Sequence, residues 1–244
     1  MENNCLNCET PLTDRFCARC GQKADTHRIT AKHFMLHDLM HGVWHIDKGI
    51  LFTLKEVFTR PGYAALDYIK GKRVKYYNIF YLMLIVVGLI LIADHYQGEK
   101  MWETGRVGKS KAANLMAQYA KLFFMVIIPI FCINAQLLFR KLKINFFEHH
   151  IIAGFCLLGM YICLLIGFLL GGNEDAASGF TIKVAITWLI GIIFIAFPIV
   201  TYYQATKRKY SFMGFTWRII LFYFLVIFEI RGLIKSLNYL LNHI

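Results

Sequence analysis

Acidic residues are scarce in this chain: 15 aspartates and glutamates stand against 27 lysines and arginines, a formal net charge of +12 over 244 residues. The sequence has no glycine-rich nucleotide loop and no G-x-S-x-G elbow, so two common catalytic motifs are missing. No signal peptide is visible, because the first apolar run of membrane length begins near Tyr76. Charged residues form no continuous series within the apolar runs, which argues against a pump.

Hydrophobic residues make up 57% of the chain, and they form runs near or above 18 residues, the length that crosses a bilayer. We predict an all-α integral membrane protein, a bundle of about five transmembrane helices with an N-terminal cytoplasmic zinc ribbon and amphipathic interfacial helices. The expected spans are approximately Tyr76–Ala93, Leu122–Leu138, Ile151–Leu170, Val184–Tyr203 and Phe215–Ile230. Because Arg218 and Glu229 interrupt the last run, a four-span protein with a lateral final helix is the alternative.

Basic residues cluster at the ends of the apolar runs. One cluster precedes the first expected span. The others follow the second and fourth spans, at Arg140, Lys141, Lys143, Lys207, Arg208 and Lys209. All fall on one side if the spans alternate, so the positive-inside rule places the amino terminus in the cytoplasm, on the cytoplasmic (inner) membrane. We attribute the charge to topology and to attraction of membrane lipids, and expect no nucleic-acid partner.

The sequence divides into three parts: residues 1–25, a zinc ribbon; residues 26–75, cytoplasmic or interfacial amphipathic helices with a histidine run; and residues 76–244, the transmembrane bundle. The ribbon has two C-x2-C pairs, formed by Cys5, Cys8, Cys17 and Cys20. Four thiolates satisfy tetrahedral zinc, and metal binding would supply the folding free energy, about 10 kcal/mol, that so short a segment lacks. A disulfide pair is the alternative, disfavoured in a reducing cytoplasm.

The remaining cysteines, Cys132, Cys156 and Cys163, fall inside apolar runs, where we expect them to be packing residues. A histidine also recurs at every fourth position, at His33, His37, His41 and His45. On a helix, neighbouring members can share a ligand, but all four cannot face one point. His37, His41 and His45 could form a speculative second metal site with His149 and His150, which open the third span. The alternative is an amphipathic helix whose histidines lie at the headgroup level.

Residues 49–75 are predicted to form two short helices that fold back beneath the bundle. An apolar stripe, made by Ile50, Leu51, Leu54, Val57 and Phe58, lies opposite Thr53, Lys55 and Glu56, which is the pattern of an amphipathic helix. Pro61 suits the first turn of a second helix through Ile69, and Gly71 would end it.

The elements CLNC, FCARCGQK, HGVWHIDKG, RPG and YIKGKRVKY occur in this order within roughly the first 80 residues. This order resembles that of a bacterial membrane family of unknown function with an N-terminal short zinc ribbon. The resemblance implies zinc ligation by the four cysteines, and it implies no activity. Glu9 and Ile79 depart from the family pattern, which has glycine and proline at these positions.

We therefore expect a multi-pass membrane protein with structural zinc, acting as a non-catalytic scaffold, adaptor or subunit that contacts a protein partner or a second copy of itself. A metal-dependent enzyme with a histidine cluster, acting on a lipid-like substrate, is one alternative, and a second metal is then possible. The H-x2-HH pattern of membrane di-iron enzymes is incomplete, because Asn145, Phe146 and Phe147 precede the histidine pair. A transporter or channel is the other alternative.

Overall fold

The computed structural model describes residues 4–24, 26, 49–103, 120–170, 182–206 and 209–241. These residues form seven α-helices and one 3-10 turn, with no β-strand among them. The helices are α1 (Gly49–Thr59), α2 (Pro61–Ile69), α3 (Ile79–Glu103), α4 (Ala120–Leu138), α5 (Phe146–Leu170), α6 (Ile182–Thr206) and α7 (Phe212–Leu241), and the 3-10 turn is Arg140–Leu142. The all-α prediction is confirmed for this part of the chain.

Helix α5 is the centre of the bundle. Every residue from 151 to 160 is buried, as expected for a helix that is apolar on all sides. It packs most extensively against α3 and α6, and it also contacts α1, α2 and α4. The three cysteines Cys132, Cys156 and Cys163 are buried in this core, so their predicted packing role is confirmed.

Basic loops meet at one end of the bundle, where α3, α5 and α7 begin and α4 and α6 end. The amide of Lys141 donates to the hydroxyl of Tyr210 at 3.0 Å, which joins the turn after α4 to the loop before α7. The ring of Phe139 stacks on that of Tyr202 with their centroids 4.9 Å apart. We call the loops 70–78, 139–145 and 209–211 together the basic end.

Helices α1 and α2 lie at the basic end. They meet at Pro61, as predicted, and α2 packs against both α5 and α6. Tyr68 of α2 contacts Phe155 of α5, with ring centroids 6.2 Å apart. Phe58 of α1 contacts Phe197 of α6 edge-on at 5.6 Å. The short helices therefore form a layer against the bundle.

The predicted orientation of α1 is correct in part: Val57 is buried, and Ile50 and Leu54 pack against the core. Thr53 and Glu56, expected on its polar outer face, are buried, whereas Leu51 of the expected apolar stripe is 76% exposed. The cause is local polar bonding: the Thr53 hydroxyl donates to the carbonyl of Gly49 and accepts the amide proton of Tyr77 at 2.8 Å. A buried polar group that is hydrogen-bonded in this way costs little, so helix periodicity alone does not decide which face is inside.

Two of the helices are long and apolar enough to cross a membrane, over Phe146–Leu170 and Val184–Thr206. Shorter apolar helical stretches cover Ile79–Ala93 and Val126–Leu138. The predicted count of five spans is not confirmed. The final helix α7 contains charged residues, which include Arg218, Glu229, Arg231 and Lys235.

Candidate metal centre

The two cysteine pairs sit on two equivalent turns. In the first turn, the amide of Cys5 donates to the carbonyl of Thr10 at 2.9 Å, and the amide of Glu9 donates back to Cys5 at 2.8 Å. In the second, the amide of Cys17 donates to Gln22 and that of Gly21 donates to Cys17, both at 2.8 Å. The pattern repeats after 12 residues, so each turn presents its two sulfurs from the same backbone shape.

The four cysteine sulfurs converge. All lie within 4.8 Å of one another, and Cys5–Cys20 and Cys8–Cys17 have Sγ–Sγ distances of 3.5 Å. A disulfide needs about 2.05 Å, so these distances exclude bonded pairs. A tetrahedral ion with metal–sulfur bonds of about 2.3 Å separates its ligands by about 3.8 Å. The cluster could therefore hold a metal ion.

The thiols have different proton affinities. Hydrogen bonding with the Thr10 side chain, whose hydroxyl oxygen lies 3.3 Å from Cys8 Sγ, and with the Thr10 backbone lowers the pKa of Cys8 to about 6. Burial raises the pKa of the Cys5 thiol to about 11. The low pKa of Cys8 favours its thiolate at neutral pH, and a bound cation would stabilise the buried sulfur of Cys5 in the same form.

Glu9 in the first turn has the same left-handed backbone conformation as Gly21, its counterpart in the second turn. Its φ is +62°, and that of Gly21 is +75°. Positive φ is costly for residues with a β-carbon, yet the first turn forms the same pair of backbone hydrogen bonds as the second.

The ribbon contacts the basic end through Leu6. Gly71, in the turn after α2, has a φ of +94°, and a β-carbon placed there would lie 2.7 Å from Cδ1 of Leu6. Glycine therefore serves two needs, the left-handed backbone and the space for Leu6. This contact seats the candidate metal centre against the helical part of the molecule.

Beside the ribbon, an ion-pair network around the buried carboxylate of Glu56 joins α1, α2 and the loop before α3. The guanidinium of Arg60 lies 2.6 Å from the carboxylate of Glu56 and 3.5 Å from that of Asp67. The hydroxyl of Tyr76 donates to Glu56 at 3.3 Å. Burial, and then the charge of Glu56, raise the pKa of Tyr76, so the hydroxyl stays protonated and remains a donor. Sequence reasoning missed this network, because it assigned Glu56 to the solvent.

The glycine of the Arg60-Pro61-Gly62 motif allows α2 to touch the backbone of α6. A β-carbon at Gly62 would lie 2.2 Å from the carbonyl oxygen of Thr201 and 2.6 Å from the amide nitrogen of Ala205. The amide of Gly62 donates to the side chain of Gln204 at 3.0 Å. Pro61 occupies the first turn of α2, where no amide proton is needed. The motif therefore positions the short helices.

Glu148, His149 and His150 open α5. Glu148 and Asn145 form a capping box: the Asn145 amide donates to the Glu148 carboxylate, and the Glu148 amide donates to Asn145 Oδ1, both at 2.8 Å. Nδ1 of His150 lies 3.0 Å from the carbonyl of Phe146 and 3.1 Å from Sγ of Cys132. Glu148 thus has a structural role at the helix start.

His149 is only 2% exposed, and its Nδ1 has no hydrogen-bond partner among the residues that the structure describes. Within the described ranges, the four ribbon cysteines are the one group of metal-ligating side chains that converges. His37, His41 and His45 lie outside the described residues, so the second metal site stays a prediction.

Sequence reasoning also did not single out Gln22, which is buried beside the cysteines. Its side chain is 3% exposed, and neither its amide nitrogen nor its oxygen has a partner within the described part of the chain. Its position two residues after Cys20, where its carbonyl closes the second turn, is the signal that could have drawn attention to it.

The family described as protein of unknown function DUF3667 matches residues 47–90, which run from just before α1 into α3. A domain of this kind is consistent with the resemblance to a family of unknown function. The match contains the Glu56–Arg60 network and Gly62, but the ribbon lies outside it. No curated protein and no solved structure matches the chain.

Proposed function

We propose that this is a multi-pass protein of the cytoplasmic membrane in which a structural zinc ribbon serves a non-catalytic scaffold or adaptor role. The observation that carries the proposal is the seating of Leu6 on Gly71. It makes the ribbon an extension of the basic end, held where a cytoplasmic partner or another subunit can reach it. Zinc suits the site because four thiolates form its usual structural ligand set.

The outer surface of α6 supports the membrane assignment. Trp188, Ile192 and Ile195 are 70%, 63% and 60% exposed. Monomeric soluble proteins rarely leave so many large apolar side chains along one helix in water. Lipid tails would cover this surface without cost, and the length of α6 matches the hydrocarbon thickness.

The positions of the basic loops support a cytoplasmic amino terminus. The ribbon, the turn before α3 and the loops around Lys141 and Lys209 all belong to one end of the bundle. Under the positive-inside rule, this end faces the cytoplasm.

Metal analysis of the full-length protein in detergent tests the ribbon's role. We expect one zinc per chain, with the zinc lost in Cys8→Ser but retained in Cys163→Ser, a matched change in the core. Extraction with carbonate should leave both variants in the membrane. Full zinc content in Cys8→Ser would refute the assignment.

Cysteine labelling tests the topology. Single cysteines are placed at Lys207 and at Glu174, two positions that the alternation of spans puts on opposite sides. We expect labelling at position 207 from the cytoplasmic side and at position 174 from the other. Labelling of both positions from one side would contradict the proposed arrangement.

The unpartnered Nδ1 of His149 favours a metal-dependent enzyme as the second candidate. A protein of this kind would contain iron or a second zinc in addition to the ribbon ion. His41→Ala and His149→Ala would then each remove that second metal while leaving the fold intact. Equal metal content in the wild type and both variants, together with a lower unfolding temperature, would instead assign these histidines to structure.

A further inference from the structure

A group of cations on two neighbouring loops of the basic end has no acidic counterpart. Arg140, Lys141 and Lys143 lie on the turn after α4, and Lys209 lies on the loop before α7; all four are exposed. Among the residues that the structure describes, the ion pairs are those of Arg60 and Lys72 with Glu56 and Asp67, so no carboxylate lies within pairing distance of these four. We call them the loop patch.

Two cations of the loop patch are fixed close together. Nζ of Lys209 donates to the carbonyl of Lys141 at 3.2 Å, and Nζ of Lys141 donates to the carbonyl of Lys209 at 3.4 Å. The exchange joins the two loops and places two ammonium groups in the same region of the surface. Like charges repel, and an anion bound beside both groups would offset that repulsion.

Aromatic rings hold the cations in place. The ring of Tyr210 has Lys141 Nζ 5.0 Å from its centroid and the Arg218 guanidinium 4.3 Å from it. The Tyr210 hydroxyl accepts the amide proton of Lys141, and Arg218 also lies 4.3 Å from the centroid of a ring of Trp217. Cation–π contacts of this kind restrain the ammonium and guanidinium groups while leaving them able to bind an anion.

Large apolar side chains stand beside the loop patch at the start of α7. Phe212 and Met213 are 86% and 82% exposed, and Trp217 is 49% exposed. Aromatic residues are enriched at the boundary between headgroups and acyl chains. Cations suited to binding a phosphate group therefore lie beside apolar side chains suited to contacting the acyl chains below it.

We propose that the loop patch binds the phosphate of an anionic phospholipid in the membrane leaflet at the basic end. The inference rests on the proposed membrane insertion and adds a ligand class and a site to it. Lys141 and Lys209 contact the phosphate, Tyr210 positions Lys141, and Phe212 and Met213 lie against the acyl chains.

The test is lipid titration of the full-length protein in detergent, with the bound fraction measured by native mass spectrometry. Phosphatidylglycerol is the probe, and phosphatidylcholine is the neutral comparison. We expect preferential retention of phosphatidylglycerol by the wild type. Each lysine that donates directly to the bound phosphate contributes about fivefold to its affinity, so Lys141→Gln/Lys209→Gln should weaken binding by roughly 30-fold.

Lys70→Gln/Lys75→Gln is the matched control, because both lysines are exposed on the basic end and the change in net charge is the same. We expect less than about a twofold effect there. Equal weakening by the two pairs, or equal retention of the two lipids by the wild type, would overturn the proposal. So would displacement of phosphatidylglycerol by inorganic phosphate as effectively as by the lipid itself.

Carbonate extraction separates this proposal from the proposed function. If the protein stays in the membrane but shows no lipid preference, only the lipid site is refuted. If carbonate extracts the protein, the membrane assignment is refuted, and both proposals rest on it. The unfolding temperatures of the two double variants, expected to match that of the wild type, exclude loss of folding as the cause.

Discussion

The ribbon and the helical bundle bury different groups. In the ribbon, Cys5 and Cys17 are the buried apolar side chains, while Phe16 is 56% exposed. In the bundle, α5 alone buries every residue from 151 to 160. Apolar burial of about 25 cal/mol per Å² can order the bundle, but it cannot order a tip of about 20 residues. The difference teaches that packing orders the bundle, whereas the proposed zinc ion would have to order the ribbon.

The largest expected effect comes from removing one ribbon sulfur. Cys17→Ser should abolish metal binding and unfold the tip, because structural zinc supplies about 10 kcal/mol to such sites. The helices should keep their content by circular dichroism. A bundle that unfolds together with the tip would show that the two parts are not ordered separately.

Gly62→Ala should destabilise the helical bundle without affecting the ribbon. The added β-carbon would meet the Thr201 carbonyl at 2.2 Å, and overpacking of this kind costs about 2–3 kcal/mol. Thermal unfolding in detergent should show the loss, with zinc content unchanged. Gly88→Ala is the control, since nothing lies within 4 Å of its β-carbon position; equal losses would refute the close approach of α2 to α6.

Glu56→Gln should loosen α1 and α2 by about 1 kcal/mol, because it removes a charge-assisted bond between the buried Glu56 carboxylate and the half-exposed Arg60. Asp67→Asn, which acts on a longer and more exposed pair, should cost less. Limited proteolysis of residues 49–75 would rank the two variants. The reverse order would mean that Asp67, rather than Glu56, holds Arg60.

The smallest effect is expected from the ribbon turns themselves. Glu9→Gly should tighten zinc binding about fivefold, because glycine removes a positive-φ cost of about 1 kcal/mol. Gly21→Ala should weaken binding by a similar factor, and no neighbour obstructs its β-carbon. Competition with a chelator measures both. Unchanged affinity in both variants would show that these turns carry no such strain.

What the sequence could predict was local. The spacing of the four cysteines determines which sulfurs meet, and the structure brings them within 4.8 Å. Pro61 likewise marked the start of α2. The burial of Thr53 on α1 was not predictable from the helix period, because its partner is the amide of Tyr77, 24 residues away.

The sequence at the start of α5 contains a helix-capping signal that the sequence analysis did not use. Asparagine followed three residues later by glutamate is a capping-box pattern, and Asn145 and Glu148 form that box. The sequence-based prediction used only the two histidines that follow Glu148. The five predicted spans were not confirmed for another reason: the apolar stretches Ile79–Ala93 and Val126–Leu138 are shorter than a span, and α7 contains charged residues, of which Glu229 accepts a hydrogen bond from Asn134 at 2.8 Å.

The central position of α5 also constrains the order of events during synthesis. Helix α2 packs on α5 and α6, but about 140 residues separate its last residue from the end of α6. At about 5–20 residues per second, the ribosome needs roughly 7–30 s to supply those partners. For that time α1 and α2 have no bundle to pack against. Under the proposed membrane insertion, the bilayer surface is the apolar support already present, so the membrane would be the first binding partner of the segment that α5 and α6 later cover.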